Sequence, residues 1–350
     1  MKSKVLLFGY SRANFGDDLF IYMLAKKYEQ VEFYIHIKEE KYKKTFYEIE
    51  NIHCLEEERE LRKVEIEQYD AFCYVGGSIF IESEYAWHEA REFQWFIKKC
   101  KEQLKPFFYI TCNFGPYKTQ EYLDKIRENF ALATGVCVRD KNTYNLFKDI
   151  PTVKYAPDMV LAYQIELPKK ETKSVGISII NLEIRDKLKH KQSIYEDYIK
   201  RIIIKFAKRG YKVSLVSFCE FEEDKIAMER IKKSVPEEYQ KNIKELTYQC
   251  DIEKFIEEYS KINYMVCTRF HSLILSILAR QKIYNLCYSK KQSNFISDYK
   301  LFRKVVMISD IEYEIILRKY YFQKASIIKT KTLAKKAEGQ FEAFENWLNS

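Results

Sequence analysis

A chain of 350 residues with 47% apolar and 16% aromatic side chains has enough hydrophobic surface for two cores of ordinary size, which excludes a disordered protein. Sixty Lys and Arg against 51 Asp and Glu give a formal charge of +9. Acidic residues are interleaved with the basic ones nearly everywhere, so the excess is chiefly a composition bias spread over solvated faces. No nucleic-acid signature is present, and an anionic substrate or membrane surface fits the charge better than DNA or RNA.

The N-terminus runs directly into Lys4-Val-Leu-Leu-Phe-Gly9, without the layout of a secretory leader. No apolar run approaches the ~18 residues needed to span a bilayer. Nine cysteines lie at 54, 73, 100, 112, 137, 219, 250, 267 and 287, with no C-x-x-C spacing for a metal or redox site. Cys73, Cys112, Cys137, Cys267 and Cys287 fall in apolar runs, where a thiol acts as a small hydrophobic group. The expectation is a cytoplasmic protein without a metal site.

Short apolar runs alternate with longer amphipathic ones, the pattern of βα units around parallel sheets. Strands are predicted at Val5–Phe8, Val31–Ile37, Ala71–Val75, Phe107–Cys112, Val136–Val138 and Thr152–Tyr155. Helical patterns follow Asp18–Glu29, Tyr85–Glu102, Gln120–Ala133 and Lys141–Lys148. A first lobe over 1–160 leads through a Pro- and charge-rich linker, 161–172, to a second series. That series has strands at Val175–Ile180, Val213–Phe218, Tyr264–Cys267, Ile283–Cys287 and Val305–Ile308. Its helices lie near Ile194–Arg209, Glu222–Ser234, Ile252–Ser260 and Leu273–Ala279, so the second lobe covers 173–309. The remaining segment, 310–350, reads as helix, with Ala337, Phe341, Phe344 and Leu348 on one face. Its Tyr320-Tyr321-Phe322 and Lys324, Lys329, Lys331, Lys335 and Lys336 either rest on an anionic membrane surface or are solvated around a packed apolar face.

The strongest candidate for chemistry is Cys267-Thr268-Arg269-Phe270-His271, where a strand passes into a helix. Open α/β sheets bind ligands at the carboxyl ends of their strands, and a helix N-terminus favours anions. There Arg269 offers a forked cation for carboxylate or phosphate, and His271 can move a proton near neutral pH. Tyr288-Ser289-Lys290-Lys291 follows the next strand, so Lys290 and Lys291 either bind phosphate as point charges or are solvated.

Glycine is scarce, with nine in the chain, and three glycine turns follow first-lobe strands. Asn14-Phe15-Gly16-Asp17-Asp18 allows close backbone approach at Gly16, with Asp17 or Asp18 as a helix cap. It is not G-x-G-x-x-G, so a dinucleotide site is not supported. Val75-Gly76-Gly77-Ser78 is either a tight turn or an anion cradle of N–H groups, with Ser78 adding a hydroxyl. Asn113-Phe114-Gly115-Pro116 ends the next strand. Arg139-Asp140 reads either as an anion clamp or as a surface Arg beside an N-cap, and Asp158 either orients a group or makes a turn.

Taken in order, Asn14-x-Gly16-Asp17, Gly76-Gly77, Asn113-x-Gly115-Pro116, Arg139-Asp140, Pro157-Asp158, Arg269-x-His271 and Tyr288-x-x-Lys291 resemble the polysaccharide pyruvyl transferase family. The resemblance runs from about residue 5 to about residue 295. It implies two Rossmann-like lobes of the GT-B layout with a central cleft, and transfer of the enolpyruvyl unit of phosphoenolpyruvate onto a sugar. The acceptor would be a cell-surface polysaccharide, capsule or exopolysaccharide, or its lipid-linked precursor, and the product a pyruvate ketal. By the resemblance His271 is the catalytic acid, and Arg269 and Arg139 hold phosphoenolpyruvate, the donor substrate; no other cofactor is implied. The pair Ser289-Lys290 departs from the family, which often has Asp and Pro there. Two other readings stand beside it: a nucleotide-sugar glycosyltransferase of the same layout, for which no Glu-x7-Glu-like pair is found, and, from another class, a non-catalytic scaffold or sugar-binding member of a polysaccharide-assembly complex, against which Arg269 and His271 argue.

Overall fold

The computed structural model describes residues 2–57, 59–311 and 322–350. The chain divides into two compact units, one of residues 1–11, 17–163 and 332–350, the other of residues 12–16 and 164–331.

In the first unit seven parallel strands form one sheet: β1 (Ser3–Phe8), β2 (Val31–His36), β3 (Ile52–Leu55), β4 (Ala71–Val75), β5 (Phe107–Cys112), β6 (Gly135–Val138) and β7 (Val153–Tyr155). Their order is β3-β2-β1-β4-β5-β6-β7, so the winding reverses between β1 and β4. The second unit repeats the plan with β8 (Ser174–Ser178), β9 (Lys212–Ser217), β10 (Ile243–Thr247), β11 (Tyr264–Cys267), β12 (Lys282–Cys287) and β13 (Val306–Met307). There the order is β10-β9-β8-β11-β12-β13, all parallel, with reversal between β8 and β11. The predicted α/β class is the observed one. Central strands such as Phe107–Cys112 and Ser174–Ser178 are buried along their whole length, as a parallel sheet covered by helices on both faces requires.

Helices start at the carboxyl edges because capping residues stand there. Ser83 Oγ accepts from Ala86 N at 3.1 Å, Thr119 Oγ1 from Tyr122 N at 3.3 Å, and Asp251 Oδ1 from Lys254 N at 3.0 Å. The sequence pattern misses β3 and β10. Both are edge strands with one or no fully buried residue, so their sequences, Ile-His-Cys-Leu and Ile-Lys-Glu-Leu-Thr, lack a strong apolar signal.

Two expectations need correction. The predicted linker, 161–172, begins inside the first unit: Met159–Ala162 forms a 3₁₀ turn whose Met159, Val160 and Leu161 are fully buried there. The C-terminal segment is not one continuous helix either. Residues 322–326 are not helical, and Ile327–Ala337 is separated from Glu342–Leu348 by a 3₁₀ turn. Tyr320 and Tyr321 lie outside the described residues, while Lys324, Lys329, Lys331, Lys335 and Lys336 are exposed. Among the described residues no helix is long and apolar enough to cross a membrane.

The C-terminal residues 332–350 complete the first unit's core. Ala337, Phe341 and Phe344 are buried, with Phe344 set against Tyr28, Phe33 and Phe108 at ring distances of 5.0, 6.4 and 5.7 Å. The buried amide of Gln340 knits three chain segments together. Its Oε1 accepts from Thr111 N at 2.9 Å, and its Nε2 donates to the carbonyls of Ala156 and Pro157 at 2.8 and 3.1 Å. Replacing Gln340 by Ala strands a buried N–H and two carbonyls, each worth ~1–3 kcal/mol when left unsatisfied. Urea unfolding of Gln340→Ala is expected to show a loss of about 2–4 kcal/mol, clearly larger than for a surface Gln→Ala change.

Candidate functional site

In the second unit, β11 ends at Cys267 and the helix Phe270–Leu278 begins three residues later. The turn between them is pinned to β8. Ser178 Oγ accepts from Thr268 N at 2.8 Å and from Arg269 N at 3.2 Å, and Thr268 Oγ1 donates to the Ser178 carbonyl. His271 therefore stands on the first turn of the helix, half-buried, at the point where the winding reverses. This is where open parallel sheets receive ligands.

Residues 12–16 pack in the same unit. Asn14 bridges Cys219, Phe15 N donates to the Phe218 carbonyl at 3.0 Å, and the Phe15 ring sits among Phe218, Tyr248 and Phe255. Asn14 Oδ1 accepts from Gly16 N at 3.2 Å. This anchoring brings Gly16 against the imidazole of His271: a Cβ built on Gly16 would lie 1.8 Å from Nδ1. Only glycine permits that approach. Two of the motifs read in the sequence, some 250 residues apart, thus meet at one imidazole.

Arg269 is not an open clamp. Its Nε donates to Asp224 Oδ2 at 3.1 Å, its Nη2 pairs with Asp224 Oδ1, and its Nη1 pairs with Glu222 Oε2. Glu222 also pairs with Arg185, whose guanidinium lies 4.8 Å from the Tyr288 ring centroid. Burial pushes Asp224 up to about 6, against the pull of Arg269. Burial would also raise Glu222, but Arg269 and Arg185 together hold it below the usual range. The physical reason is desolvation: a guanidinium with 8% of its side chain exposed needs carboxylate partners. Asp224, Glu222 and Arg185 were not singled out from the sequence. The signal for the two carboxylates is the acidic run Glu220–Asp224, which follows β9 at the same sheet edge.

The two lysines separate. Lys290 is exposed, whereas Lys291 Nζ lies 4.6 Å from the centroid of Phe270, the neighbour of His271. The aromatic contact puts Lys291 nearer the imidazole's surroundings.

The first unit holds a second cluster at its own carboxyl edge. Arg139 follows β6 and is buried, donating from Nη1 to Asp158 Oδ2 at 2.6 Å and from Nε and Nη2 to Asn113 Oδ1 at 3.1 and 2.8 Å. Gly77 lies against the same guanidinium, where a Cβ would come within 1.9 Å of Nη2. Gly76 is tight against Ile79, and Ser78 Oγ donates to Asn113 Oδ1 at 3.4 Å. Arg139 is thus neither a surface residue nor an exposed clamp, but the ion-paired support of the Gly76-Gly77-Ser78 turn. Asp140 is the N-cap, accepting from Thr143 N at 2.9 Å. Asp158 accepts from Arg139 as well as from Val160 N at 3.0 Å. Asp17 stands in the first turn of the helix Phe15–Lys27 and belongs to the first unit, apart from Gly16 in the division of the chain. Among the described residues no group of three or more His, Cys, Asp or Glu side chains is placed to hold a metal ion.

The family model of polysaccharide pyruvyl transferases matches residues 14–282. Among solved structures, the UDP-GlcNAc 2-epimerase of Neisseria meningitidis, bound to UDP-GlcNAc, is 12% identical, with a TM-score of 0.60 over 98% of this chain and 100% of that one. A glycosyltransferase of Rickettsia africae is 10% identical, with a TM-score of 0.56 over 99% of each chain. The UDP-GlcNAc 2-epimerase of Methanocaldococcus jannaschii, in complex with UDP-GlcNAc and UDP, is 8% identical, with a TM-score of 0.54 over 96% of this chain and 99% of that one. At these identities the likeness is one of fold, that of GT-B glycosyltransferases and epimerases. No curated protein sequence matches the chain.

Two substitutions separate the parts of the second-unit cluster. Arg269→Ala leaves Asp224 and Glu222 without their shared cation, and is expected to cost about 3–5 kcal/mol in urea unfolding. Gly16→Ala is expected to leave the fold intact but to displace the His271 ring, because the new methyl and Nδ1 cannot occupy one place. A changed His271 imidazole resonance in an otherwise unaltered NMR spectrum checks this.

Proposed function

Because the chain belongs to the polysaccharide pyruvyl transferase family, we propose that it transfers the enolpyruvyl unit of phosphoenolpyruvate onto a sugar and forms a pyruvate ketal. The observation that carries this reading is the meeting of Asn14-x-Gly16 with Arg269-x-His271 at one half-buried imidazole inside the matched span. The acceptor in this reading is a cell-surface polysaccharide or its lipid-linked precursor.

The chemistry asks little more than a proton and an anion-favouring setting. His271 protonates C3 of phosphoenolpyruvate, which makes C2 electrophilic. A sugar hydroxyl adds to C2 and gives up its proton. Phosphate then leaves C2 with the bonding pair, and a second hydroxyl of the sugar closes the ketal. One proton enters at C3 and the two hydroxyls release two, so the balance returns to phosphate and to the imidazole. The first turn of the helix Phe270–Leu278 presents N–H groups that favour the anionic donor. Lys291 adds a cation beside Phe270. Arg269 acts through position: its pairs with Asp224 and Glu222 fix the turn from which His271 rises.

The reading places the protein in a reducing compartment, the cytoplasm, where its nine free cysteines, seven of them buried, are at home. The exposed lysines of the C-terminal segment suit work beside an anionic membrane, where a lipid-linked acceptor would lie.

Phosphate release from phosphoenolpyruvate, measured with acceptors prepared from the source organism's own surface glycans, tests the proposal. Sugar transfer from a nucleotide-sugar with phosphoenolpyruvate untouched would overturn it. Within the reaction, His271→Ala is expected to lower turnover by about 10²- to 10⁴-fold while calorimetric affinity for phosphoenolpyruvate stays near wild type. A near-normal rate in the folded variant would make His271 structural.

A further inference from the structure

Beside the buried pairs of Arg269 stands a second arginine that is only partly engaged. Arg185 lies on the loop after β8, and its backbone is fixed there. Leu182 N donates to Gln192 Oε1 at 2.7 Å, Arg185 N to the Leu182 carbonyl at 3.0 Å, and Leu188 N to the Arg185 carbonyl at 2.7 Å. The guanidinium is held more lightly. Its Nη2 pairs with Glu222 Oε2, and its plane lies 4.8 Å from the centre of the Tyr288 ring. Among the described residues its buried Nε meets no acceptor. Arg269 by contrast turns Nε, Nη1 and Nη2 to carboxylates. Its side chain is 8% exposed, against 24% for Arg185.

The contacts of Arg185 fix where its charge lies. Glu222 follows β9 and Tyr288 follows β12, two strands that β8 and β11 separate in the sheet. At ~4.8 Å per strand they stand about 14 Å apart. A guanidinium that touches both residues therefore lies over the ends of β8 and β11. That is the point of reversal, and the turn leading to His271 rises from the end of β11.

Tyr288 in turn leads into Ser289, the N-cap of the helix Lys290–Asp298. Serine is a preferred cap, yet Ser289 makes no capping bond, and its buried Oγ meets no partner among the described residues. A guanidinium with N–H groups to spare thus neighbours an uncommitted hydroxyl and the first turn of a helix. All three are donors, and donors gathered at a helix start favour an oxyanion.

We infer that Arg185, supported by Ser289, grips an oxyanion of phosphoenolpyruvate beside His271, through the N–H groups that Glu222 leaves unused. The inference rests on the proposed function and deepens it by naming the donor's anchor in the second unit.

Calorimetric titrations of the full chain with phosphoenolpyruvate test it, comparing wild type with Arg185→Ala, Arg185→Lys and Ser289→Ala, their folding checked by circular dichroism. Affinity is expected to fall about 10- to 100-fold in Arg185→Ala, as for a lost charge-assisted contact. Arg185→Lys, which keeps the charge without the fork, should recover part of it. Ser289→Ala should lose about threefold. In the phosphate-release assay Arg185→Ala should raise KM for phosphoenolpyruvate and leave KM for the glycan acceptor unchanged. A rise in both alike would make Arg185 a structural residue and overturn the inference. Inorganic phosphate and pyruvate, used as separate inhibitors, tell which group is held: the one that loses potency in Arg185→Ala carries that group. Undiminished inhibition by both would overturn the clamp. Unchanged phosphoenolpyruvate affinity in Arg185→Ala, with phosphate release intact, would overturn it too and leave the proposed function standing. Should wild type bind no phosphoenolpyruvate, Arg185-dependent binding of UDP would support the clamp and reject the donor. Binding of neither would overturn both.

Discussion

A guanidinium buried at the carboxyl edge of a parallel sheet must be neutralised, and both units are organised around that need. Arg139 after β6 pairs with Asp158, and Arg269 after β11 pairs with Asp224 and Glu222. Each arginine gathers residues from separate loops and so fixes the loop geometry at the end of its own sheet. In the first unit the gathered parts are the Gly76-Gly77-Ser78 turn and Asn113. In the second they are the acidic run after β9 and the turn that carries His271. In both units the guanidinium is engaged by carboxylates of its own unit.

Close approach is the second constraint. Gly77 lets the β4 loop lie on the face of Arg139, and Gly16 lets the segment 12–16 lie on His271. In each case the partner is the side chain with the strongest chemical character in its neighbourhood. The scarcity of glycine in the chain makes this placement informative: any side chain at either position would have to displace the charged or titratable group itself.

The catalytic reading follows from position more than from any unusual charge. His271 stands where a helix begins at the point of reversal in the strand order, a setting that favours anions through N–H groups. The buried network beneath it supplies rigidity.

By itself the sequence determined the class of fold, because fully buried parallel strands such as Phe107–Cys112 must be apolar from end to end, and the capping residues that follow them must be polar. It also marked Arg269, His271, Arg139 and the glycine turns, since residue type and strand-end position are local properties. The edge strands Ile52–Leu55 and Ile243–Thr247 escaped it, because a strand paired on one side only needs no continuous apolar run. The tertiary structure alone decided what the arginines touch. The partners of Arg269 lie 45 and 47 residues away, and nothing in the local pattern says that the acidic run after β9 turns inward. It alone decided that Gly16 meets His271, and that the last nineteen residues belong to the first unit through Gln340 and Phe344. Those contacts join residues far apart in the chain, and their energy comes from desolvation and close packing, which exist only once the chain has folded.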